Sequence, residues 1–132
     1  MQINRRFALA LLAAAFLAPA SALAATTTAP QSLTMQAAMR PRNSQSVPYS
    51  GILKLKIQPD GIINGTYVSN SIRPDPTNGR IITVTGGLTG ANIHLSFGNA
   101  GGLRMTGTLK NGHIVGTAFS KGAMLDFEAI VK

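Results

Sequence analysis

The chain has no cysteine and no tryptophan, few aromatics, and four acidic residues against twelve basic ones. Without cysteine there are no disulfide staples, no thiol nucleophile, no thiolate metal cluster and no cysteine on which to hang a lipid anchor. Two histidines and four carboxylates leave little from which to assemble a metal site or an acid–base pair. Aromatics at 5% supply no stacking platform between the basic residues, which argues against single-stranded nucleic acid as a partner. No apolar run is long enough for a spanning helix.

The longest such run, Phe7 to Ala18, follows Arg5 and Arg6 and stops at Pro19, before Ala22-Leu23-Ala24. Positive start, short apolar middle and small residues at a cut describe a secretory leader, with cleavage expected after Ala24. Phe7 directly after the arginines, and the very apolar middle, favour the general secretory route over the twin-arginine one. The expected location is periplasmic or secreted. Losing Arg5 and Arg6 takes two from the formal charge of +8, leaving +6 on the mature chain from Ala25. A domain this basic favours anionic partners, or is simply kept soluble by its charge.

What remains is rich in glycine and β-branched residues and carries no helical stripe. Glycine-marked turns recur at Pro59-Asp60-Gly61, Gly86-Gly87 and Asn111-Gly112, about 25 residues apart, a spacing that holds two strands and two turns. Asn111-Gly112 and Lys121-Gly122 read as two-residue hairpin turns. The first pairs Leu109 with Ile114, Gly107 with Gly116 and Met105 with Ala118. The second pairs Ala118 with Leu125, Gly116 with Phe127 and Ile114 with Ala129. Pro59-Asp60-Gly61 suits a three-residue loop that groups Leu53, Leu55 and Ile57 with Ile63, Gly65 and Tyr67. Gly86-Gly87, taken as a turn, groups Ile82 and Val84 with Ala91, Ile93, Leu95 and Phe97.

Seven strands are thus predicted, at 49–58, 62–69, 80–85, 89–97, 102–110, 113–120 and 123–131. An eighth over Leu33, Met35, Ala37 and Met39 competes with a helix through Met35 to Arg40, and residues 25–31 read as a flexible lead-in to a domain over 32–132. Such a meander with one apolar face is expected to close into a small all-β, up-and-down barrel of the lipocalin/avidin-like kind, because closure removes both the free edges and the exposed oily face. An open sheet completed by a second subunit is the alternative.

No side-chain constellation points to catalysis, and no metal or cofactor is expected. His94 and His113 fall on the outer face, as do Asp126 and Glu128, opposite Thr117 and Val115. Asp60 lies in a turn. Asp75-Pro76-Thr77-Asn78-Gly79 lacks the closing acid of a calcium loop and reads as a turn. Lys54, Lys56, Arg104 and Lys110 form a candidate basic outer face. Inward lie the candidate ligand-binding residues Tyr49, Leu53, Leu55, Tyr67, Leu95, Phe97, Met105 and Phe127. Gly51, Gly65, Gly107 and Gly116 either open room among them or let the strands bend.

The segment Asp60 to Ser69, DGIINGTYVS, resembles a hairpin of avidin-type barrels. That resemblance implies a secreted eight-stranded meander. It implies no binding residues, since the family's biotin pocket relies on tryptophans and this chain has none. Two readings of function follow. One is a non-enzymatic barrel holding a small apolar ligand inside, with a tyrosine as polar handle. The other is a packed barrel acting through its basic face, as an envelope-associated structural protein or an inhibitor of an acidic partner.

Overall fold

A computed structural model describes residues 29–42, 45, 48–72, 75–98 and 102–132; the leader and most of the lead-in lie outside them. Eight antiparallel strands form a meander: β1 (Gln31–Pro41), β2 (Tyr49–Ile57), β3 (Ile62–Ser69), β4 (Ile81–Thr89), β5 (Asn92–Phe97), β6 (Arg104–Lys110), β7 (His113–Ser120) and β8 (Ala123–Val131). Each pairs with the next, and β1 pairs with β8, so the barrel is closed and no strand edge is left free.

The turns act as anticipated where their residues demand a left-handed backbone. Asn111 and Gly112 have φ of 52° and 71°, and Lys121 and Gly122 have 49° and 79°, the two successive positive values of a hairpin turn that matches strand twist. They set Lys110 against His113, Gly107 against Gly116 and Gly116 against Phe127. Gly107 and Gly116 face each other so closely that a methyl on Gly116 would lie 2.2 Å from the Thr106 carbonyl oxygen. These glycines serve close backbone approach, and Phe127 fills the space over them. Gly61, with φ of 93°, closes the loop after β2, where the Gln58 amide donates to the Ile62 carbonyl at 2.9 Å.

The Gly86-Gly87 turn is a correction. Both residues lie within β4, and the chain reverses at Gly90-Ala91, where Gly90 takes φ of 61°. A turn at Gly86-Gly87 would set Val84 against Thr89; Val84 pairs with Phe97 instead. At Gly86 the strand presses against its neighbour: a methyl there would sit 2.0 Å from the His94 carbonyl oxygen. The slip is an even number of residues, so Ile82, Val84, Ile93, Leu95 and Phe97 still point inward. The helix considered over Met35 to Arg40 is absent. Met35, Ala37 and Met39 are buried as alternate residues of β1, and Met39 pairs with Tyr49 on one side and Phe127 on the other.

The middle of the barrel is filled. Met35, Leu53, Ile63, Val84, Leu95, Met105, Ile114 and Phe127 are fully buried, and the Phe97 ring lies 6.4 Å from that of Phe127. The outward rows carry Lys54 and Lys56 on β2 and Arg104, Thr106, Thr108 and Lys110 on β6, all exposed. The same outer wall also exposes large apolar side chains, among them Ile62 on β3, Ile81 on β4, Val115 and Phe119 on β7, and Met124 and Ile130 on β8. No helix among the described residues is long and apolar enough to cross a membrane.

The two ends differ. At one lie the short turns 58–61, 90–91 and 111–112, with the start of β1 and the end of β8. At the other lie the connections 42–48, 70–80 and 98–103 and the Lys121-Gly122 turn.

Candidate functional site

The turn-rich end is plugged by Ile57, Ile63 and Ile93, all buried, with Leu33, Leu88 and Leu109 packed against the core. The opposite end opens into a cavity of about 590 Å³, within the range that holds small molecules. Its apolar wall comes from the mouth-ward ends of the strands, chiefly Met39, Ile82, Leu103 and Leu125, with Tyr49 and Tyr67. Asp75 and Thr77 from the β3–β4 connection, and Lys121 from the β7–β8 turn, supply its polar rim.

The described parts of the β3–β4 connection, residues 70–72 and 75–80, form a strap tied together at this end by side-chain hydrogen bonds. Asp75 Oδ1 accepts from the Thr77 amide at 2.9 Å and the Thr77 hydroxyl at 2.7 Å. The Asn78 side chain grips the Ser71 backbone at two points, accepting from its amide at 3.0 Å and donating to its carbonyl at 3.2 Å. Ser71 in turn accepts from the Ser50 amide at 2.9 Å, which stitches the strap to β2. The Ser69 hydroxyl lies 2.9 Å from both Asp75 Oδ2 and Asn78 Oδ1. It has one proton, and the carboxylate is the stronger acceptor. Burial alone would raise the Asp75 carboxyl; donation from Thr77, Ser69 and Ser71 outweighs it and holds the group below its ordinary value.

Tyr67 is the exceptional residue. It is 3% exposed, and its hydroxyl has no hydrogen-bond partner among the described residues. Its ring leans from its pairing position opposite Leu53 to lie over Gly51, one inward step nearer the mouth, where an alanine methyl would meet the ring carbon Cζ at 2.5 Å. The Phe97 ring packs against it edge-to-face, with centroids 5.5 Å apart. Burial, reinforced by the Asp75 charge, pushes the phenol up to about 12. Proximity of the Ser69 hydroxyl pulls the other way, although the contacts of hydrogen-bond geometry that Ser69 makes go to Ser50, Ser71, Asp75 and Asn78.

Of the eight interior residues expected to touch a ligand, Tyr49 and Tyr67 line the mouth. Leu53, Leu55, Leu95, Phe97, Met105 and Phe127 point inward but belong to the packed core. The basic set divides. Lys54 and Lys56 sit on β2, and Arg104 and Lys110 sit on β6, four strands away on the opposite wall of a closed eight-stranded barrel. They share no surface.

His94 and His113 are on the outer wall, as their strand positions predict. His113 Nε2 lies 3.1 Å from Glu128 Oε2, though without the alignment of a hydrogen bond. Asp126 pairs with Arg42 at 3.3 Å, and Asp60 accepts from the Ile62 amide in its turn. No cluster of three or more potential metal ligands occurs among the described residues. A second hollow, about 540 Å³, lies on the outer wall between His94, Arg104 and Phe119.

Sequence reasoning missed the strap. Its available signal was Ser69 and Ser71, two hydroxyls continuing the inward alternation of β3 where apolar residues are the rule. Set against protein-family models, curated proteins and solved structures, the chain gives no match.

Proposed function

We propose that the protein is an exported, non-catalytic binding barrel that holds one small, largely apolar molecule at its strap-covered mouth. The observation that carries this reading is the union, in one cavity wall, of oily strand ends with Tyr67, whose buried hydroxyl has no partner among the described residues. Pockets for small molecules share that character: an apolar lining with a few converging polar groups. The filled middle of the barrel limits the ligand to the mouth rather than the whole interior. Export rests on the leader through Ala24. Binding rather than bond-making is supported by the place of His94, His113, Asp126 and Glu128 on the outer wall, away from this cavity. The basic-face alternative loses ground because its two halves look in opposite directions.

The test is a titration of the mature protein with N-phenyl-1-naphthylamine, an uncharged apolar dye. Its fluorescence should saturate at one dye per chain, with methyl NMR shifts concentrated at Met39, Ile82, Leu103 and Leu125. Native mass spectrometry before and after solvent extraction should show a small co-purifying molecule. A dye that does not bind, or that shifts outer-wall signals alone, removes this function.

A further inference from the structure

Resting on that reading, we infer that the ligand's buried polar end is an uncharged hydrogen-bond acceptor, a carbonyl or ether oxygen, that takes its proton from Tyr67, and that carboxylates are excluded. Tyr67 offers the one buried side-chain hydroxyl of the cavity wall left without a partner among the described residues. A buried O–H with no acceptor is costly, so a ligand oxygen placed there gains more than the exchange of one water contact for another. The phenol keeps its proton throughout the physiological range and therefore stands ready as a donor.

The rim decides the charge. Asp75 is ionised, lines the same cavity, and its field already reaches the phenol, so a carboxylate brought to Tyr67 meets both burial and like-charge repulsion. Asp75 does not call for a cation either. Both its oxygens accept hydrogen bonds within the strap, from Thr77 on one and Ser69 on the other. Lys121, on the opposite side of the rim, adds a positive charge that disfavours an ammonium. Charges of both signs around an oily chamber leave neutral molecules as the class that enters without an unpaired ion. The phenol oxygen is itself closed to solvent, so a ligand oxygen reaches it only as the groups that cover it give way.

Four probes of equal length decide it: heptane, 2-heptanone, heptanoate and heptylammonium, each competed against the dye at pH 7. The ketone should bind about five- to tenfold more tightly than heptane, the worth of one hydrogen bond to a waiting donor. Heptanoate and heptylammonium should bind at least tenfold more weakly than the ketone. Tyr67→Phe removes only the hydroxyl, keeps the ring over Gly51, and should erase the preference for ketone over heptane, read as the ratio of the two affinities.

Heptanoate binding as tightly as the ketone overturns the inference but leaves the mouth as a binding site. Loss of that heptanoate binding in Lys121→Gln would then locate a carboxylate at the rim, in the reversed orientation. An unchanged ketone preference in Tyr67→Phe overturns it as well. Failure of all four probes instead removes the proposed function itself.

Discussion

The two ends of this barrel are made of the same strands, yet different chemistry holds them. At the plugged end the backbone does the work: Gly61, Gly90, Asn111 and Gly112 accept left-handed dihedrals, the connections are short, and isoleucines fill what remains. At the mouth only the Lys121-Gly122 turn is of that kind among the two-residue turns, and side chains do the rest, with Asp75, Asn78, Ser69 and Ser71 tying down the longer β3–β4 connection. The first kind of closure leaves no room. The second is conditional on an ionised carboxylate and keeps a chamber beneath it. Loop length and loop chemistry, rather than the strands, determine which end of such a barrel is available.

The contrast can be broken most forcibly between the ends, at the bend both depend on. Gly116→Val should cost about 3 kcal/mol or more, since the added carbons meet the Thr106 carbonyl and the Gly107 backbone, neither of which can yield. Urea unfolding by circular dichroism measures it. Truncation then separates the ends. Ile63→Ala in the plug, fully buried, should cost about 3 kcal/mol, whereas Leu103→Ala at the edge of the mouth should cost about 1 kcal/mol because its space already adjoins solvent. Equal costs would mean the mouth is as tightly packed as the plug.

Acid sharpens the comparison further. The folded value of Asp75 is depressed, so its stabilisation of the strap is complete above the unfolded carboxyl value of about 4 and is lost as pH falls through the lower folded value. Amide exchange at Ser71, Thr77, Asn78 and Gly79 should accelerate, relative to its intrinsic rate, below about pH 4, while Gly61 and Leu88 at the other end stay protected. Asp75→Asn should loosen the same amides at neutral pH by about 1 kcal/mol.

Tyr67 works in the opposite sense. Its raised value means stability is full below the unfolded phenol value of about 10 and falls away as pH rises through about 12. Absorbance at the phenolate band during alkaline unfolding should show this late titration, and Tyr67→Phe should remove it. The smallest effect belongs to Lys121, a non-glycine residue held at φ of 49°. Lys121→Asn, better suited to that conformation, should gain about 0.5 kcal/mol in the same urea assay.

The strands and their faces were legible because turn residues and alternation constrain each other. Asn111-Gly112 and Lys121-Gly122 set a register in which Met105, Ala118, Leu125 and Phe127 agree, and any one-residue error would have put them outside. Gly86-Gly87 misled because glycine marks two different needs, positive φ and close approach, and only neighbouring strands tell them apart. The direction in which Tyr67 points was legible; its isolation was not, since that depends on where Ser69 and Gly51 fall around its ring. The strap stayed hidden for the same reason. Asp75 and Asn78 look like ordinary turn residues until their partners Ser69, at the end of β3, and Ser71, just beyond it, are in place.

An even number of strands in a meander returns the chain to the level at which it set out. Gln31 and Val131 therefore both emerge beside the plugged face, a barrel's length from the chamber. An affinity handle or a solid support joined to either end of the barrel's chain, before β1 or after β8, attaches on the blind side. A tethered copy thus presents its opening outward, away from the surface that holds it.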